Sequence, residues 1–190
     1  MSRMGRWEPD ARGRMLDAAL ELFAEQGYDN TTAGDIAARA GVTERTFFRH
    51  FADKREVLFV GPVSLDEVAT SAIAALGDDV PPLSAALAAV RAVAAELGAA
   101  RTREQAATRA SIVAATPALR ERELLKMASM TEAITRALVG RGAPQTVAGL
   151  AAHNAGGVFA AAFAHWVSED GEPDFARCID DATEVLRQLG

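Results

Sequence analysis

Apolar positions along the first sixty residues recur at steps of three and four and do not alternate. Met15, Ala18, Ala19, Leu22 and Phe23 share one face of a helix predicted over 9–26, and Gly27 ends it. Thr32 followed three residues later by Asp35 has the spacing of a capping box, which predicts a short helix over 33–40. Gly41-Val42 breaks it, and Thr43 caps a second short helix over 44–50. Asp53 and Glu56 repeat the capping spacing. They predict a fourth helix starting at Lys54, which Gly61-Pro62 interrupts or kinks.

Beyond Pro62 the periodic segments lengthen and become alanine-rich. Helices are predicted over 64–76, 83–97, 103–115, 117–139, 145–168 and 173–188. The breaks fall at Gly77-Asp78-Asp79, Pro81-Pro82, Gly98, Thr116-Pro117, 140–144 and 171–173. No segment alternates with the period of a strand. The fold class is therefore all-α: a helix-turn-helix unit over 1–60 and a larger helical body over 61–190.

Composition agrees. The chain has 190 residues, 49% of them hydrophobic, enough for a sizeable core. Alanine exceeds a fifth of the chain and aromatics are 6%, a bias toward helices over strands. Cys178 is the lone cysteine, so no internal disulfide can form. Residues 142–168 contain no Asp, Glu, Lys or Arg and are long enough to span a bilayer. They carry Pro144, Gln145, Thr146, His153, Asn154 and His165, and their apolar residues are mostly Ala and Gly. This reads as a helix buried against protein. No apolar run of signal-peptide length opens the chain. The expectation is a cytoplasmic protein with no membrane partner.

Two short helices joined by a Gly-containing turn and braced on each side form a helix-turn-helix. In the second, Phe47 and Phe51 fall together and point inward with Phe23 and Ile36. Arg45 and Arg49 lie nearly opposite, with Thr46 between them and Phe48 and His50 at the flanks. Guanidinium forks suit guanine edges and phosphates. Thr32 and Lys54, at the starts of neighbouring helices, are placed to meet anions.

Residues 14–58 resemble the DNA-binding domain of the TetR/AcrR family of bacterial regulators. The matching string runs Leu16, Ala18, Ala19, Leu22, Phe23, Ala24, Glu25, Gly27, Tyr28, Thr31-Thr32, Asp35-Ile36-Ala37 and Ala40-Gly41-Val42-Thr43. It continues through Thr46-Phe47-Phe48-Arg49-His50-Phe51 to Lys54, Glu56 and Leu58. The resemblance implies a homodimer joined through its last two helices, with recognition helices in successive major grooves of double-stranded palindromic operator DNA. It further implies a C-terminal body that binds a small-molecule effector. By position, Thr43, Arg45, Thr46 and Arg49 become base or groove contacts, and Thr32, His50 and Lys54 phosphate contacts. Arg45 stands where many members have Gly, which adds a guanidinium. Phe48 stands where Tyr is frequent, and either touches a thymine methyl or packs in the core. The first seven residues read as a loose tail; the alternative is a basic arm of Arg3, Arg6 and Arg12 for the minor groove.

The net charge of −6 and isoelectric point near 5.1 argue against a nucleic-acid binder until the charges are located. Residues 1–60 hold nine basic and ten acidic side chains and residues 61–190 eleven and sixteen, so the body carries most of the deficit. Within 43–55, Arg45, Arg49, Lys54 and Arg55 face only Glu44 and Asp53, a local balance of +2. The acidity therefore leaves the helix-turn-helix free to meet phosphate.

In the body, Gly149, Ala152, Gly156 and Ala160 form a row of small residues that lets another helix approach closely. Ile112, Met127, Met130, Phe159, Phe163 and Trp166 are candidates for an apolar pocket, with Asn154, His153 and Arg109 to orient a ligand. Such a pocket suits a lipophilic effector. No P-loop, dinucleotide fingerprint or zinc spacing is present, so the reading is a regulator, most simply a repressor, with no enzyme activity and no cofactor. The alternatives are a helical small-molecule-binding protein whose helix-turn-helix does not read DNA, and an enzyme using the C-terminal cavity.

Overall fold

The computed structural model describes residues 11–59, 64–168 and 174–189. Among them are nine α-helices and one 3₁₀ turn, and no strand. The helices are α1 (Ala11–Gln26), α2 (Ala33–Arg39), α3 (Glu44–His50), α4 (Leu65–Ala74) and α5 (Pro82–Ala100), followed by α6 (Arg103–Ala115), α7 (Pro117–Gly140), α8 (Gln145–Trp166) and α9 (Phe175–Gln188). The tail residues Arg3 and Arg6 lie outside the described residues, as do the predicted break at Gly61-Pro62 and that at 171–173. Arg12 belongs to α1, its guanidinium 5.8 Å from the Phe51 ring.

Local chemistry sets the helix ends. Gly27 takes φ 85° and its N–H donates to the Phe23 carbonyl, closing α1. The Thr32 hydroxyl accepts from the Asp35 N–H at 3.1 Å, and the Asp35 carboxylate accepts from the Thr32 N–H at 2.8 Å, completing the predicted box. Gly41, at φ 70°, turns the chain between α2 and α3.

Two expectations fail. α5 runs through Gly98 to Ala100. A mid-helix Gly costs only about 1 kcal/mol relative to Ala, and helix-favouring alanines flank this one. The helix predicted from Lys54 shrinks to a 3₁₀ turn, Glu56–Leu58. Asp53 does cap it, accepting from the N–H groups of Arg55 and Glu56. An α-helix would need the residue 62 amide to reach the Leu58 carbonyl, and Pro62 has no N–H. Arg109 Nε donates to that carbonyl instead, at 2.9 Å.

Two cores result. Met15, Leu22, Phe23, Ile36, Phe47, Phe51 and Leu58 form the N-terminal one, and Ile112, Val113 and Leu119 of the body complete it. In the larger core α5 packs against α4, α8 and α9. Trp166 stacks on Phe175 there at 4.7 Å between ring centroids. α5 and α8 are both long and apolar enough to cross a membrane by composition. Each buries part of its apolar surface against its neighbours.

Candidate functional site

α3 displays one face to solvent. Phe47 is fully buried and Phe51 nearly so, which fixes the helix's rotation. Arg45, Arg49 and His50 are exposed, and Thr46 is half-buried between the arginines. The Thr43 hydroxyl caps α3 by accepting the Thr46 N–H at 3.2 Å and lies 3.0 Å from the Thr46 hydroxyl. Phe48 is 51% exposed with its edge against Phe47, so it is a surface ring and not a core one. Thr32 is exposed at the start of α2. α2 is held on α1 by Arg39, which bridges Glu21 and Glu25 at 3.0 and 2.9 Å.

Lys54 stands apart from this face. Its Nζ donates to the Tyr28 and Thr31 carbonyls at 2.8 and 3.0 Å and lies 4.1 Å from the Tyr28 ring centroid. It ties the segment after α3 to the α1–α2 turn, so two of its three donors are already engaged.

The body holds a half-open cavity of about 980 Å³ between α5, α6, α7 and α8. That is at the upper end of the roughly 300–1,000 Å³ range of small-molecule sites. Met127, Met130, Phe159, Phe163 and Trp166 line it, as expected. Ile112 and Asn154 do not. Ile112 faces the other side of α6, into the N-terminal core, and Val113 beside it reaches the cavity. Asn154 is exposed and donates to the Leu150 carbonyl one turn back. His153 and Arg109 do line the cavity.

Arg101 and Lys126 also line it and escape sequence reading. Both are isolated cations at ordinary helix-end and helix-face positions, and no local pattern marks them. Burial pushes the Lys126 ammonium down to about 8, with repulsion from Arg109, Arg101 and Arg122 outweighing attraction by Glu123. Burial likewise pushes Arg101 down to about 10.

Three cations of α6 and α7 join the body to the helix-turn-helix, and two of them, Arg109 and Lys126, line the cavity. Arg109, 6% exposed, pairs with Glu123 through both terminal nitrogens at 3.3 and 2.6 Å, and its Nε holds the Leu58 carbonyl. Lys126 Nζ donates to the Phe59 carbonyl at 2.7 Å. Arg122 bonds the Glu56 carboxylate at 3.0 and 3.2 Å. The segment leaving the N-terminal core is thus gripped from α6 and α7. Gln105 Nε2 adds a bond to Asp17 of α1 at 2.9 Å.

The small-residue row of α8 faces inward. Ala152 is fully buried, Gly149 and Gly156 line the cavity, and a Cβ on Gly156 would stand 3.6 Å from Thr131 Oγ1 of α7. A different row faces out: Val147, Leu150, Asn154, Gly157, Ala161 and Ala164, all exposed and uncharged. Leu150 is 62% exposed, and Val185 of α9 and Leu189 just past its end are 56% and 79% exposed.

Residues 15–59 match the family of bacterial regulatory proteins of the tetR type, and residues 80–189 match the MftR C-terminal domain. The regulator TcmR of Streptomyces glaucescens is 43% identical over 82 residues, 43% of this chain and 36% of TcmR. AcrR of Shigella flexneri is 44% identical over 48 residues, 25% of this chain and 22% of AcrR. The chain thus spans about a third or less of the length of these curated relatives. Among solved structures, the SmeT–triclosan complex superposes with a TM-score of 0.61 at 23% identity, over 92% of this chain and 90% of SmeT. The fatty acid degradation regulator FadR from Bacillus halodurans gives 0.59 at 17% identity, over 94% and 95%. These structures establish a shared fold. The two family matches take in both the helix-turn-helix and most of the helical body, so the likeness extends well past one motif: the chain belongs to the TetR family of transcriptional regulators.

Proposed function

We propose that this regulator is a repressor that binds palindromic operator DNA as a homodimer and lets go when a small lipophilic effector fills the cavity. Residues 1–60 serve as the reading unit and 61–190 as the effector and dimerisation unit. Arg45, Arg49, Thr43 and Thr46 meet base edges, Thr32 and His50 meet phosphates, and Phe48 meets a thymine methyl. Lys54 supports phosphate binding mainly by bracing the α1–α2 turn. Met127, Met130, Phe159, Phe163 and Trp166 hold the effector's apolar part. A cytoplasmic location follows from that role.

The observation that carries this reading is the grip of Arg109, Arg122 and Lys126 on residues 56–59. Two of these side chains, Arg109 and Lys126, also wall the cavity. An effector that shifts α6 or α7 therefore changes the angle of α3 relative to the body. In a dimer, half-sites lie about 34–36 Å apart, so a small rotation of each reading unit spoils simultaneous docking. Effector and DNA would then oppose each other by population shift, with a coupling of about 1–3 kcal/mol. The uncharged outward row of α8, with Val185 of α9 and Leu189 just past it, supports the dimer seam. SmeT, solved with triclosan, illustrates a small apolar molecule on this fold.

The test is a gel shift of the full-length protein on the DNA upstream of its own coding region. A discrete complex lost in the Arg45→Ala/Arg49→Ala variant supports the reading. Absence of any sequence-specific complex refutes it and favours a binding protein with an inert helix-turn-helix.

A further inference from the structure

The wall of the cavity is apolar along most of its length and cationic at one end. Six charged side chains line it: Arg101, Arg109, Arg120, Lys126, Glu123 and Glu132. Arg109 and Glu123 satisfy each other, and Glu132 pairs with Arg136 at 2.8 Å. That leaves Arg101, Arg120 and Lys126. Arg120 is exposed at the rim. Arg101 and Lys126 are half-buried, and among the described residues neither has a carboxylate within ion-pair distance. Lys126 gives one hydrogen to the Phe59 carbonyl and keeps two.

A cation held away from water without a counter-charge is costly, and an anion arriving beside it removes that cost. We propose that the effector is an anionic amphiphile whose acid head is bound by Arg101 and Lys126, while its apolar chain lies along Met127, Phe159 and Phe163. The proposal rests on the reading of this cavity as the effector site and specifies the chemistry it selects. The shared chemistry is a carboxylate or phosphate on an apolar tail. The lowered proton affinities of both cations agree, because burial and repulsion by Arg109 outweigh the attraction of Glu123 at each. Lys126 also holds Phe59, so the head arrives at the residue through which the body grips the reading unit.

The experiment is calorimetric titration of the full-length protein at neutral pH with decanoate, decyl phosphate and decanol, which share one tail. Trp166 fluorescence gives an independent signal, because that ring lines the cavity. Charge-assisted hydrogen bonds predict that at least one acid binds about 10–100-fold more tightly than decanol. The two acids report which head the site prefers. Arg101→Gln and Lys126→Met should each cut that preference at least several-fold. Arg101→Gln removes no described hydrogen bond, so it keeps the test open if Lys126→Met folds poorly. Decanol binding as tightly as both acids overturns the head site and leaves an uncharged lipophilic effector in place. Preference retained in both variants also overturns it. Binding of none of the three overturns this inference together with the amphiphilic reading of the cavity, and leaves the gel-shift test of DNA binding untouched.

Discussion

Arg109→Met tests the grip between body and reading unit. The substitution keeps an unbranched apolar stem in the same space and deletes the guanidinium. Three hydrogen bonds go with it, one to the Leu58 carbonyl and two to Glu123. Removing one member of a buried ion pair costs about 3–5 kcal/mol, because the other charge is left uncompensated. Glu123 keeps 28% of its side chain in solvent, which pulls the figure to the low end. The orphaned Leu58 carbonyl adds to it, and the sum is about 3 kcal/mol. For a chain of this length that corresponds to a melting point lower by about 6–12 °C. Calorimetric melting at fixed protein concentration reads it, since dimerisation would make the midpoint concentration-dependent. Adding Glu123→Leu should restore at least half of the loss, because replacing both partners with apolar groups is nearly neutral. A single variant melting within about 1 °C of the parent would show that the pair is too well hydrated to matter. A double variant less stable than the single one would show that Glu123 is held by something other than Arg109.

Other outcomes follow from the same contacts. Arg45→Ala should weaken operator binding by about 1–3 kcal/mol and relax preference at one base position; equal weakening on every sequence would make it a phosphate contact. Leu150→Glu places a charge in the middle of the uncharged outer row of α8, and sedimentation equilibrium should then show a monomer; an unchanged dimer would move the seam elsewhere. The Lys126 ammonium, at about 8 when folded, lies below its ordinary 10.5. Between those values the unfolded chain binds the extra proton, so Lys126 makes the ligand-free protein more stable as pH rises through that window. Urea midpoints measured across it should rise less in Lys126→Met, and an identical slope would mean that the ammonium is solvated.

Helix positions were legible wherever the determinants are local. α6 spans the predicted 103–115 because Thr102 caps it with Gln105 and Pro117 forbids its continuation. The face of α3 was legible for the same reason, since Phe47 and Phe51 one turn apart leave a single way to bury both. What escaped was long-range. Lys54 turns back to carbonyls 23 and 26 residues away, and Lys126 reaches one 67 residues away. A lysine's long stem gives no sequence clue to which backbone it will meet. Ile112 and Val113 are both apolar and both complete the N-terminal core, and only the packing of α6 decides that Val113 also reaches the cavity. The row of small residues predicts one close-packed face of α8, and periodicity alone does not say that Gly149, Ala152 and Gly156 face the body while Val147, Leu150 and Asn154 face solvent.

The N-terminal core is finished by Ile112, Val113 and Leu119, which lie more than fifty residues downstream of the reading helix. This has a bearing on how such regulators can be recombined. A chimera that fuses residues 1–60 to a foreign body would leave an apolar hole on the inner face of α1 and an empty socket where Arg109 met Leu58. A graft that carries residues 102–123 as well would bring the plug, the capped helix and both halves of the ion pair. The natural joint for exchanging sensors in this chain therefore runs through the α6–α7 corner in space and not through the linker in sequence.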